Sequence, residues 1–249
     1  MTKIIADFCA NHLADTRLID HGIKLLADAG VDMVKFQAFK ADKLNPKFPN
    51  YKENLEYYKS VELKEIDYWF ILKRCSVHGI SPLFTVFDLE AVDFIKNFGL
   101  KHVKIASPDG DNLELIKKCI DNFKTVYISD GMMSRDSRAW LYNAITKKEF
   151  PGCDIKVLYC ISKYPTNIND INFKTMSSFA GFSDHTIGTE AAKKAIDMGL
   201  EVVEKHFTLG RDLPGRDQAI SGTIDEFKEL VEHRNYIEKV KHYKVRWQS

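Results

Sequence analysis

Short β-branched runs alternate with longer amphipathic stretches along the whole chain, and the alternation repeats eight times. No other feature limits the fold as strongly, because strands separated by helices pair in parallel, with the helices packed on the sheet. Strands are expected at Lys3–Phe8, Met33–Gln37, Leu83–Phe87, Val103–Ala106, Thr125–Ser129, Ile155–Cys160, Phe179–Ser183 and Val202–His206. Helices are expected at Arg17–Ala29, Lys64–His78, Leu89–Phe98, Leu113–Asn122, Ser134–Lys147, Asn172–Ser178 and Thr189–Met198, with a last one from about Asp225 to Val240. In the first of these, Leu18, Ile19, Ile23, Leu25 and Leu26 recur at helical spacing and Gly30 marks the stop; Gly79 and Gly99 close the next two in the same way. Eight βα units predict an α/β fold of the (β/α)8 TIM-barrel type, with residues 1–249 forming one domain. A doubly wound open sheet is the alternative, but the GxGxxG turn that would favour a dinucleotide fold is absent after the first strand.

A barrel gathers its chemistry at the carboxyl ends of the strands, and the polar residues of this chain fall there. Asp7 ends strand one, with Asn11 and His12 just beyond. Lys35 and Gln37 alternate on strand two and so face the same side. Strand three carries Thr85; strand four carries Lys104, followed by Ser107 and Asp109; strand five ends in Ser129 and Asp130. Ser162 and Tyr164 follow strand six, while His185 and His206 close strands seven and eight. A charge inside a barrel is costly unless it is paired or engaged by a ligand. Lys35 and Lys104 therefore either salt-bridge to carboxylates or, with Ser107 and Ser129, form an anion site. Neighbouring strands lie about 5 Å apart, so His185 and His206 can reach one metal ion. Two histidines alone fit a structural or proton-transfer role equally well. The connection from Ala38 to Glu62, with Asn45, Pro46, Pro49, Asn50 and several tyrosines, is long enough to read as a lid or mobile segment.

The bulk properties exclude several partners. A formal net charge of +1 gives no global field for nucleic acid or an anionic membrane. No apolar run could span a bilayer, and the N-terminus lacks a signal-peptide core. Five scattered cysteines without CxxC spacing point to a reduced, cytoplasmic chain. His21, His78, His102, His233 and His242 fall in helices, at helix ends or at a strand entrance, and read as surface or packing residues.

The local strings go further than spacing. NH at Asn11-His12, KFQ-x-FKAD at Lys35–Asp42, KIAS at Lys104–Ser107, S-x-GM at Ser129–Met132, YP at Tyr164-Pro165, GFSDHTIG at Gly181–Gly188, EKHFTL at Glu204–Leu209 and PGRDQAIS at Pro214–Ser221 occur in order from strand one to strand eight. Together they resemble the N-acetylneuraminate (sialic acid) synthase family. The resemblance implies condensation of phosphoenolpyruvate with an aldose such as N-acetylmannosamine, giving a keto sugar acid and phosphate.

The same resemblance implies roles. His185 and His206 match the ligands of a divalent metal, Mn2+ or Mg2+. Lys104, Ser107 and Ser129 match phosphate contacts; Lys35, Thr85 and Ser162 match residues around the carboxylate and the reacting carbons. Gln37, Tyr164 and Asp217 match contacts to the sugar, and Asn50 aligns loosely with a further one. Asp7 and Asp109 stand where the family has glutamates, so the catalytic carboxylates are one methylene shorter. Tyr159, Val86 and Asp130 also depart from the pattern. Nothing in the chain matches the family's C-terminal antifreeze-like domain, so the acceptor is expected to differ, or a homodimer or partner protein to supply the lid. Two alternatives share the motifs: a metal-dependent aldolase-like barrel, and a non-catalytic sugar-phosphate-binding partner of a full-length synthase.

Overall fold

A computed structural model describes residues 1–47 and 51–246. Eight parallel strands close into a barrel in chain order: β1 (Lys3–Asp7), β2 (Met33–Ala38), β3 (Ser81–Val86), β4 (His102–Ile105), β5 (Thr125–Ser129), β6 (Asp154–Cys160), β7 (Gly181–Asp184) and β8 (Val202–His206). The closing seam pairs β1 with β8 from Lys3↔Val202 to Asp7↔His206. The helices are α1 (Thr16–Asp28), α2 (Leu55–Val61), α3 (Glu65–His78), α4 (Leu89–Lys96), α5 (Leu113–Asn122), α6 (Arg135–Thr146), α7 (Phe173–Met176), α8 (Glu190–Asp197) and α9 (Ile224–Arg246). Among the described residues, no helix is long and apolar enough to cross a membrane.

Local chemistry explains the boundaries. The Asp15 side chain accepts the Arg17 N–H and starts α1, and Asp88 accepts the Ala91 N–H and starts α4. Gly79 ends α3 in the left-handed region, φ 72°, which a side chain would resist. Strand β7 begins two residues later than the pattern of apolar residues indicates, because Phe179 packs outside the ladder against Tyr142 and Tyr159. The long connection after β2 is not structureless. It holds a short 3-10 turn at Ala41–Lys43 and the helix α2, whose Val61 packs with Phe39, Leu44 and Phe87.

The alternation of strand side chains divides the molecule into layers. Outward residues such as Ile4, Val34, Phe84, Val126 and Val203 join the helices in the main core. Inward residues near the strand starts form a separate apolar plug of Ile5, Met33, Leu83, Tyr127, Leu158 and Val202. Gly181 leaves room for that plug, since a Cβ there would sit 2.6 Å from the Val202 carbonyl oxygen and 2.7 Å from Leu158. Further along the strands the same inward face turns polar on all but β6, which carries Cys160: Asp7, Lys35, Thr85, Lys104, Ser129, Ser183 and Glu204, all buried. The plug is thus the floor on which the site is built.

Candidate active site

A cavity of about 470 Å³ opens above that floor at the carboxyl ends of the strands. Its base is an ionic layer. Lys35 Nζ lies 2.8 Å from Asp7 Oδ2 and 3.8 Å from Glu204 Oε2, and donates to Thr85 Oγ1 at 2.9 Å. Lys104 Nζ donates to Ser129 Oγ at 2.6 Å and lies 3.4 Å from Glu204 Oε1, which also accepts the Ser183 hydroxyl at 2.9 Å. Burial pushes the Glu204 carboxyl up, but Lys104, Lys35 and the Ser183 hydroxyl overcome it and bring it down to about 2. The two lysines diverge. Burial lowers Lys104, with Lys35 adding to the effect against the pull of Glu204. At Lys35 burial acts the same way, but Asp7 and Glu204 together raise it. The salt-bridge alternative is seen directly, since each lysine is paired to a carboxylate, and both lysines also line the cavity.

The walls carry the remaining groups. Ser107 Oγ and Ser162 Oγ are 2.6 Å apart. Gly131 permits this, since a Cβ there would meet Ser162 Oγ at 2.7 Å. His185 Nδ1 is 2.8 Å from the Ile161 carbonyl oxygen and so carries the hydrogen, leaving Nε2 as the free nitrogen. The His185 and His206 ring centres are 5.3 Å apart, and Tyr164 covers His185 at 4.3 Å. His206 Nε2 lies 3.6 Å from Asp7 Oδ2, while its Nδ1 is buried without a hydrogen-bond partner. Burial outweighs Asp7 and Asp217 and lowers the His206 imidazole below its ordinary range.

Most residues expected from the sequence converge. Asp7, Lys35, Gln37, Thr85, Lys104, Ser107, Ser129, Ser162, Tyr164, His185, His206 and Asp217 all line the cavity. Asp109 does not. It is buried on the turn behind Ser107 and Pro108, where Asn45 donates to one of its oxygens at 3.0 Å and the other has no partner. Burial raises its carboxyl to about 6. Asn50 lies outside the described residues. Asn11 and His12 are braces: Asn11 Nδ2 donates to the Phe207 carbonyl and to Ser221 Oγ, both at 2.8 Å, and burial holds His12 neutral with its pKa near about 4.

Ser183 and Glu204, polar residues at the ends of β7 and β8 to which the sequence assigned no role, also line the cavity, as do Cys160, Arg216, Tyr57 and Tyr58, which sequence reasoning missed. Glu204 had a signal, since it alternates with His206 on β8. Tyr57 and Tyr58 come from α2, and Arg216 Nη1 contacts Tyr58 Oη at 3.4 Å. One further group lies beside the mouth. Cys9, His206 and Asp217 each offer a ligand atom, all within 4.8 Å of one another. A neutral imidazole, a carboxylate and a thiol, with an orphaned His206 nitrogen among them, fit a divalent cation.

The NeuB family model matches residues 22–246. The chain is 33% identical over 251 residues to the N,N'-diacetyllegionaminic acid synthase of Legionella pneumophila, covering 92% of this chain and 70% of that one. The N,N'-diacetyllegionaminic acid synthase of Campylobacter jejuni is likewise 33% identical over 256 residues, with 96% and 77% covered. The N-acetylneuraminic acid synthetase of Leptospira borgpetersenii, solved in complex with citrate, superposes with a TM-score of 0.87 at 30% identity, covering 96% of this chain and 84% of that one.

Proposed function

Because the chain belongs to the NeuB family, we propose that it condenses phosphoenolpyruvate with an N-acetylmannosamine-like aldose, giving a nonulosonic acid and inorganic phosphate. The observation that carries this reading is the pair of buried lysines, Lys35 and Lys104, set with Ser129 beneath one cavity whose rim holds His185, His206, Gln37, Tyr164 and Asp217. Two buried cations aimed at a space of this size suit a small polyanion.

In this reading Lys104, Ser107 and Ser129 hold the phosphate, while Lys35, Thr85 and Ser162 hold the carboxylate and align the enol. Gln37, Tyr164 and Asp217 orient the sugar so that its aldehyde carbon faces the methylene carbon of phosphoenolpyruvate. A divalent cation, Mn2+ or Mg2+, supplies Lewis acidity toward the aldehyde oxygen, and His185 and His206 would hold it. The new bond forms from the enol carbon to the aldehyde carbon, and the aldehyde oxygen takes up a proton from solvent. Water adds to the cationic carbon that bears the phosphate ester, and Asp7 at the cavity base accepts the water's proton. The resulting tetrahedral carbon expels phosphate by C–O cleavage, its hydroxyl proton passes to the departing phosphate, and the carbon becomes the ketone. Asp109, set behind Ser107, holds the turn that presents the serine.

The test is a panel of aldoses incubated with phosphoenolpyruvate and Mn2+, reading phosphate release and product mass. A product equal to aldose plus pyruvate is expected. Saturable phosphoenolpyruvate binding with no turnover on any acceptor would overturn the catalytic reading.

A further inference from the structure

The seat of the cation at this mouth is not only a histidine pair. We propose that Cys9, His206 and Asp217 form one metal-binding set in which the Cys9 sulfur is a thiolate ligand, selecting a cation of the Zn2+ or Co2+ class over Mg2+. The inference deepens the reading above and shares its premise that a divalent cation serves this site.

Three observations support it. The ligand atoms of the three residues lie within 4.8 Å of one another, a spread that bonds of about 2.0 to 2.3 Å close with small side-chain movements. The His206 arrangement is that of a ligand with a carboxylate behind it. Nε2 faces Asp7 Oδ2 at 3.6 Å, and the buried Nδ1 has no protein partner. Finally, Cys9 is held in an unusual backbone. Its φ is +39°, a left-handed value that costs a non-glycine residue about 1 to 3 kcal/mol. The chain enforces it, because Asp7 Oδ1 accepts the Cys9 N–H at 2.9 Å.

The loops that carry the set are braced to each other. Asn11, two residues after Cys9, donates to Ser221 Oγ at 2.8 Å, and Ser221 Oγ donates to the Asp217 carbonyl at 2.6 Å. Gln218 donates to the Asn11 carbonyl at 3.1 Å. Cys9 and Asp217 are therefore fixed relative to one another before any cation arrives. Asp7 serves both halves of the site, positioning His206 and Cys9 with one carboxylate while pairing with Lys35. Thiolate sulfur favours borderline and soft cations, whereas an all-oxygen set suits Mg2+. On binding, the thiol releases its proton to solvent.

The test uses the full chain, stripped of metal with a chelator and titrated with Co2+. A near-ultraviolet thiolate-to-cobalt charge-transfer band is expected. It should vanish in Cys9→Ser and persist in Cys153→Ser, whose thiol lies at the opposite end of the barrel. Calorimetry should show Zn2+ affinity falling by about 100-fold or more in Cys9→Ser and Asp217→Asn, beyond the range typical of residues behind the ligands, with Mg2+ binding little changed in Cys9→Ser, which removes only the soft donor. Should Cys9→Ser fail to fold by circular dichroism, the wild-type band and Asp217→Asn decide. Absence of the band in the wild-type chain, or its loss only in Cys160→Ser, overturns the proposal. No substrate enters these measurements. A Co2+ band without turnover keeps this inference and rejects the synthase reading; turnover without the band does the reverse.

Discussion

Glu204 Oε1 lies 3.4 Å from Lys104 Nζ on the floor of the cavity, and its other oxygen lies 3.8 Å from Lys35 Nζ. One buried carboxylate thus balances two cations that the incoming anion must also use. Glu204→Gln keeps an acceptor for the Ser183 hydroxyl and removes the charge. Breaking a buried ionic group of this kind costs about 3 to 5 kcal/mol, so the thermal midpoint should fall. Phosphoenolpyruvate should bind more tightly, because the lysines no longer face a competing carboxylate. Calorimetry showing weaker binding in the variant would reject this view of Glu204.

Lys104→Ala should weaken phosphoenolpyruvate binding more than about ten-fold, since a charge-assisted hydrogen bond contributes about 1.5 to 3 kcal/mol. Lys35→Ala should act in the same direction and also remove the lysine paired with Asp7 Oδ2. Thermal stabilisation by phosphoenolpyruvate that survives in both variants removes the anion site from this location.

Replacing either His185 or His206 by Ala should abolish metal-dependent activity while far-ultraviolet circular dichroism stays near wild type. Neither ring belongs to the apolar plug or the outer core. Metal affinity unchanged in both single variants would separate the histidines from the cation.

Asp109 predicts a pH effect on stability. Burial raises its carboxyl from 3.8 to about 6, so the folded chain holds that proton more tightly than the unfolded one. Its stabilising contribution is present below about pH 4 and is lost as the pH rises through 6. The loss is at most about 3 kcal/mol, from about two pH units at 1.36 kcal/mol each. Thermal melts from pH 4 to 7 should therefore show the wild type falling relative to Asp109→Asn. Parallel profiles would mean that Asp109 ionises normally.

Gln37→Ala should raise KM for the sugar with little change in KM for phosphoenolpyruvate. Gln37 lines the cavity one inward position beyond Lys35 on β2, where the anion contacts give way to the mouth. Equal rises in both constants would place Gln37 with the phosphoenolpyruvate contacts instead.

The barrel was legible because strand-like runs and amphipathic helical stretches alternate eight times and helix stops recur at glycines such as Gly79. The cluster at the strand ends was legible because Lys35, Lys104 and His206 are polar where a packed strand would place apolar side chains. What stayed hidden depends on contacts between distant segments. Glu204 reads as one more polar residue until the closed barrel sets it between lysines from β2 and β4. Tyr57 and Tyr58 sit in a connection with weak periodicity, and α2 owes its place to packing against Phe39 and its neighbours. Cys9 showed no spacing signal, because its partners His206 and Asp217 arrive from the far end of the chain.

The seam between β1 and β8 carries a consequence for how the protein is made. Asp7 and His206 are register partners across it, so the earliest and latest strands to leave the ribosome complete the site together. Until β8 emerges, β1 is an open edge with unpaired amides, the kind of edge that recruits other chains. Closing it requires contacts of very high sequence separation, which form slowly. Activity should therefore appear only late in synthesis, and a chain released before residue 206 should aggregate instead of displaying partial function.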